Sequence, residues 1–468
     1  MRFVHTAEYS SDYRRWCRDA LDAALGEIPA YKKWAEYDVG GEDPFARLAA
    51  LPLVGKELMR THGPAGFVNP RLDLNAALAR GEVEIVHTSG STDDRVGNVW
   101  CQSWWNASEQ ASWLLNAHAK RVCGSEHREA ILASPLCVGF SCEHGYLNRR
   151  ERTLGRFLFL NERMNPCGWT EEHMRRMAME INDFRPVVLE ANPSYLAHLC
   201  RFAAREKLMV RSPELIVLTF ENPSVLHRRQ IRAVFAAPIA SSYGATEAGY
   251  VFMECECGRL HQNTEHCHVD FIPFDRRHGG PEIGSILVTT FHNPWRALLR
   301  FDIGDVVRLA SDPCPCGRQD GLTVAMIEGR AANLTMTPGG RAVTQGEVDR
   351  SIGGVPEIEA YQLSQVTQRE YLVRYVPHGA DEGHIASRLR LAVAAIYGDD
   401  ALIRLERVDA IAPDPPGKYR LAKPLIPVNP RSFWDSRYSP PSNPLSTAAG
   451  GRGQTGLAAC GLGPERSL

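Results

Sequence analysis

Apolar and polar positions fall into successive patterns along the 468 residues, each predicting a different kind of element. Cys17, Leu21, Leu25 and Ile28 recur at helical spacing, and Gly26 with Pro29 predicts the end of that helix. Val83 and Ile85 alternate with Glu82 and Glu84, which predicts a short strand. Further on, Ala130-Ile131-Leu132-Ala133, Pro186-Val187-Val188-Leu189-Glu190 and Leu215-Ile216-Val217-Leu218 read as buried strands. Met174, Met177 and Ile181 share one helical face behind Thr170, a ready N-cap, and this methionine stripe reads as core filling. Strands alternating with helices predict an α/β fold with mainly parallel sheets in a large N-terminal domain, residues 1–330.

The pattern restarts on a smaller scale at about residue 331. Tyr371–Val376 and Ile403–Glu406 read as strands around a helix whose face is Ile385, Leu389, Val393 and Ile396, with Gly398 placed to end it. Residues 331–428 therefore predict a small α+β C-terminal domain. Residues 429–468 are rich in Pro, Gly and Ser and predict a disordered tail, having little apolar surface to offset the entropy of ordering.

Composition narrows the class. A hydrophobic fraction of 44% and a formal net charge of -2 fit an ordinary globular protein and give no basis for a nucleic-acid or membrane-surface partner. With no long apolar run and a polar start, the expected location is the cytoplasm, where the thirteen cysteines would be thiols or metal ligands. Trp100, Trp104, Trp105 and Trp113 read as core-packing residues.

Chemistry gathers in short loops. Thr88-Ser89-Gly90-Ser91-Thr92 follows the first predicted strand, and its small residues let backbone N–H groups and hydroxyls approach phosphate oxygens. It lacks the Gly-Lys-Ser/Thr ending of a Walker loop. Tyr243-Gly244-Ala245-Thr246-Glu247 combines an aromatic face, a hydroxyl and a carboxylate. Gly304-Asp305, Gly329-Arg330 and Gly417-Lys418 follow in order.

This series resembles the adenylate-forming superfamily of acyl-CoA synthetases, and most closely its phenylacetate-CoA ligase-like branch. The resemblance covers about residues 50 to 425. It implies an AMP-forming ligase that activates an aromatic or cyclic carboxylic acid with ATP and Mg²⁺, then transfers the acyl group to CoA. It also implies roles. Thr88 to Thr92 would hold phosphates, Tyr243 and Gly244 would flank adenine, and Glu221 would line the adenine side. Thr246 would contact phosphate, Glu247 would hold Mg²⁺, Asp305 would bind the ribose hydroxyls and Arg330 would sit near ribose and phosphate. Lys418 would be the catalytic cation, and Gly139, Phe140 and Ala245 would line the acyl pocket. Homodimers are common among such enzymes.

The chain departs from the family pattern at Asp93 and Asp94, where the phosphate loop usually continues with glycine and a basic residue. It departs again at Ala332, where an acidic hinge is usual, and at Gln345, where a proline is common. These departures keep open an amine acceptor (an amide synthetase or a nitrite-activating variant) or a carrier-protein thiol in place of CoA. Finally, Cys255, Cys257, His261, Cys314 and Cys316 offer five soft donors for a structural Zn²⁺ that needs four. The resemblance favours Cys255 over Cys257 as the fourth ligand.

Overall fold

A computed structural model describes residues 9–87, 96–135, 141–142, 145–379, 381–414, 418–438 and 440–441. Most predicted elements appear close to their expected places. The first helix runs Ser11–Glu27 and ends at Ile28. The methionine-striped helix is Glu171–Phe184, where the Thr170 hydroxyl accepts from the His173 N–H, while Met174, Met177 and Ile181 are buried. The helix Glu382–Tyr397 stops at Gly398, whose φ of 85° suits glycine.

A twelve-stranded sheet forms the centre. In one half, Phe157–Phe159, Glu129–Leu132, Val188–Ala191, Leu215–Leu218 and Ile239–Ala245 lie side by side in parallel. Helices cover both faces, so most positions on these strands are apolar on either side. In the other half, Gly249–Glu254, Leu260–Gln262, Thr323–Arg330, Phe301–Leu309, Ile283–Thr290 and Cys267–Pro273 pair antiparallel. The α/β class holds, but parallel pairing is confined to the helix-connected half. Short connections without crossover helices impose antiparallel pairing on the rest.

Strand alternation divides the parallel half into two layers. Leu189, Ala191, Ile216 and Leu218 pack against Met177, Leu196 and Leu199 of the two helices on one face. Val188, Val217, Ala240 and Met253 face Trp113 and Val122 on the other. Trp104 and Trp113 are core residues, as expected, whereas Trp100 and Trp105 are half-buried and pack on each other, tilted by 36° with centroids 4.3 Å apart.

The smaller sheet orders Leu402–Arg407, Glu370–Pro377, Ile358–Gln365 and Ala422–Pro424. Its core includes Val348, Tyr361, Tyr371, Leu389 and Val393 and also takes in Leu226 from a helix of the large sheet's layer. The predicted tail begins too early. Pro430–Phe433 forms a 3₁₀ turn, and Phe433 and Trp434 are buried against Phe274, Ile283 and Leu287. The Trp434 indole donates to Ser285 Oγ at 2.9 Å. Two aromatic rings supply the apolar area that composition averaged over forty residues concealed. The remaining tail from 442 lies outside the described residues.

Candidate active site

The register of two antiparallel strands sets Asp305 opposite Arg330. Arg330 Nε lies 3.1 Å from Asp305 Oδ1, while the Tyr243 hydroxyl donates to Asp305 Oδ2 at 2.6 Å. Burial, followed by the Asp305 charge, pushes the Tyr243 phenol well above its ordinary range, so it remains a donor. Arg330 is held charged chiefly by Asp305. Tyr243 and Arg330, far apart in sequence, thus share the carboxylate of Asp305.

Gly244 lies beside Tyr243 for a steric reason. A Cβ there would come within 2.5 Å of the Gly249 carbonyl oxygen across the strand pair. Ala245 and Thr246 are half-buried next to it, and Glu247 is buried. Arg296, also buried, donates to the Glu247 carbonyl oxygen and to Asn98 Oδ1. Burial lowers the Arg296 guanidinium to about 10, and the Glu247 charge opposes that fall. Arg296 is the residue that sequence reading missed. It sits in a loop with no periodic or motif signal, and only folding brings it to Glu247.

Glu221 links the two lobes. Its Oε2 accepts from Ser194 Oγ at 2.6 Å, and its Oε1 accepts from the Tyr419 backbone N–H at 2.9 Å. Burial raises the Glu221 carboxyl, while Ser194, Tyr419 and the Lys418 charge lower it. Lys418 and Asp414 exchange two backbone hydrogen bonds, at 3.1 and 2.9 Å. The Tyr419 N–H bond therefore sets the segment at Lys418 beside Glu221. Phe220, just before Glu221, adopts φ 70°, which turns the chain sharply here.

Thr88, Ser89, Gly90, Ser91 and Thr92, with Asp93 and Asp94, lie outside the described residues, as do Gly139, Phe140 and Gly417. The loop's flanks are described. His87 pairs with Gly97 in a two-stranded ribbon, and Asn98 on that ribbon is the partner of Arg296. Ala332 is exposed in the turn Ala331–Asn333, and Asn333 Nδ2 reaches Gln345 Oε1 at 3.4 Å.

The soft donors converge elsewhere. Donor atoms of Cys255, His261, Cys314 and Cys316 all lie within 4.8 Å of one another. Cys255 Sγ and Cys314 Sγ are 3.6 Å apart, and Cys316 Sγ is 3.2 Å from His261 Nε2. Ligands about 2.3 Å from a tetrahedral centre would be separated by roughly 3.8 Å, close to this spacing. Cys257 is exposed and stands outside the group of four, so the fifth donor drops out. Burial holds the His261 imidazole down at about 4, leaving it neutral with a free lone pair.

No family model matches the chain. It is 28% identical over 362 residues to the phenylacetate-coenzyme A ligase of Thermus thermophilus, a match covering 73% of this chain and 74% of that protein. It is 22% identical over 254 residues to the protein CapK of Staphylococcus aureus. That match covers 54% of this chain and spans only 56% of CapK. Its backbone superposes on 2-hydroxyisobutyryl-CoA ligase in the postadenylation state, in complex with 2-HIB-AMP, with a TM-score of 0.60 and 16% identity. The superposition covers 87% of this chain and 88% of that one. At that identity the superposition establishes a fold shared with that ligase and no more.

Proposed function

We propose that this chain, an adenylate-forming ligase by its fold and its likeness to phenylacetate-CoA ligase, converts a carboxylic acid and ATP into an acyl-adenylate and then an acyl-CoA. The observation that carries this reading is the clasp between lobes. Glu221 holds the Tyr419 N–H and so keeps the Lys418 segment beside it, while Tyr243 and Arg330 share the Asp305 carboxylate.

In the first half-reaction the carboxylate oxygen attacks the α-phosphorus, the α–β bridging P–O bond breaks and pyrophosphate leaves. Two anions must approach, so positive charge aimed at the pentacoordinate phosphorus lowers the barrier. The Lys418 ammonium supplies that charge, and Arg330 adds to it from the ribose side. Asp305 takes the ribose hydroxyls, with its orientation fixed by Tyr243 and Arg330. Tyr243 stacks on adenine, and Thr246 donates to phosphate. Glu247 is the carboxylate that would hold Mg²⁺, an ion that neutralises the leaving pyrophosphate when bound. Arg296 is a positioning residue that fixes the Glu247 backbone. In the second half-reaction the CoA thiolate attacks the acyl carbon, and AMP departs with the C–O bond electrons.

The same carboxyl activation could feed an amine, and exposed Ala332 at the inter-lobe turn supports keeping that acceptor in the test. Cys255, His261, Cys314 and Cys316 fit a closed structural zinc site. They would pin the Gly249–Glu254 and Leu260–Gln262 hairpin to the loop before Thr323.

Pyrophosphate and AMP release, measured with ATP, Mg²⁺ and a panel of aryl and cyclic acids, with and without CoA or amines, tests the reading. CoA-stimulated release with a thioester product is expected. Release that ignores CoA and responds to amines would move the acceptor assignment. Silence across the panel together with no ATP binding would overturn the ligase.

A further inference from the structure

The sheet layer beside the adenylate site contains a group that the reaction does not use. On the face otherwise made of Val188, Val217, Ala240 and Met253, strand alternation sets Glu190 and Glu129. They are diagonal neighbours on adjacent parallel strands, since Ile131 pairs with Glu190 and Glu129 with Val188. The helix Gln102–Trp113 covers this face and brings Glu109, whose Oε1 accepts from the Tyr250 hydroxyl at 2.8 Å. Tyr250 in turn pairs directly with Gly244 of the site loop and packs on Trp105, with centroids 4.8 Å apart. The cluster therefore shares a strand pair with the Tyr243–Glu247 segment.

Three carboxyl groups share one apolar layer, where burial raises Glu109 and Glu190 and favours their neutral forms until a cation is brought beside them. His127 Nε2 at 3.4 Å and Arg156 Nη1 at 3.7 Å approach Glu129, the Arg156 charge also acts on Glu109, and Arg156 is more than a third exposed. Burial, then the neighbouring Glu129 and Glu109 charges, drive the Glu190 carboxyl well above its usual range. Glu109 and Glu190 are each half-buried.

A second, independent feature points the same way. Ser242 is buried, 6% exposed, and its Oγ has no hydrogen-bond partner among the described residues. It pairs with Met253, whose side chain belongs to this layer, so its hydroxyl faces the same space. An orphaned buried hydroxyl is costly unless something brings it a partner. These carboxylates do not converge closely enough for a metal ion, because the one such convergence among the described residues is the cysteine–histidine group. A larger, multidentate cation fits better.

We infer that the acid activated here carries a cationic nitrogen, an ammonium or guanidinium, received by Glu190 and Glu109 with the Tyr250 and Ser242 hydroxyls beside them. This rests on the adenylation reading and narrows its substrate class from any cyclic acid to a basic one. Trp105 and Tyr250 would flank the connecting stem.

The test compares 4-(aminomethyl)benzoate with its near-isostere 4-ethylbenzoate, by acid-dependent pyrophosphate release and, separately from turnover, by calorimetric binding. A preference of at least tenfold for the amine-bearing acid is expected, and Glu190→Gln and Glu109→Gln should each cut that ratio several-fold. A wild-type ratio near one, or a ratio unchanged in both variants, would overturn the inference. If neither acid released pyrophosphate while binding kept the ratio, the adenylation reading would fall and the cation site would stand. Release with the neutral acid alone would do the reverse.

Discussion

Asp349 ties the small sheet's layer to the large one and offers a quantitative test of that docking. It lies in the helix Gln345–Ile352, and its Oδ2 accepts from the Val225 N–H at 2.8 Å, in the first turn of Val225–Arg232. Its Oδ1 accepts from the Tyr361 hydroxyl at 3.0 Å. Burial raises this carboxyl to about 6, against the partial opposition of those two hydrogen bonds and of Arg350. Because the folded pKa lies above the unfolded one, the folded state holds the proton more tightly. Its contribution to stability is complete below about pH 4 and is lost as pH rises through 6. A shift of about two units corresponds to about 3 kcal/mol. Asp349→Asn keeps an acceptor and a donor for the same partners but cannot ionise. The stability of wild type minus that of the variant should therefore fall by about 3 kcal/mol between pH 4 and pH 7, most steeply below pH 6. Urea unfolding followed by tryptophan fluorescence at matched pH values measures it. A difference that stays flat across this range, or grows with pH, would refute the burial argument.

Lys418→Ala should lower acid-dependent pyrophosphate release by a factor of about 10² or more, from loss of charge at the transition state, while ATP still protects the fold against thermal unfolding. Retained release would remove Lys418 from the mechanism. Asp305→Ala strips Tyr243 and Arg330 of their common partner. It should raise the Kd for ATP at least tenfold by calorimetry, and unchanged affinity would place the ribose elsewhere. Cys314→Ser should abolish bound zinc, measured as metal per chain, and lower the thermal midpoint, whereas Cys257→Ser should alter neither. Equal zinc loss in both would restore Cys257 as a ligand.

The sequence by itself determined the elements whose physics is local. Thr170 caps its helix because a hydroxyl at that position satisfies a free N–H, and Gly398 ends another because its positive φ costs glycine little. It also determined the order of the site loops, because small residues and fixed charges after strands leave a readable series of motifs. It could not resolve Cys255 from Cys257, since spacing makes both available and only the hairpin turns one outward. Nor could composition see that Phe433 and Trp434 would leave a polar tail to fill a groove beside Phe274. Arg296 meeting Glu247, Tyr419 clasping Glu221, and Glu109 descending from a helix onto Glu190's strand layer all join residues separated by scores of positions. No periodicity encodes such meetings. They follow from sheet register and helix docking, which are set by burying the whole apolar surface at once, and these the tertiary structure alone decided.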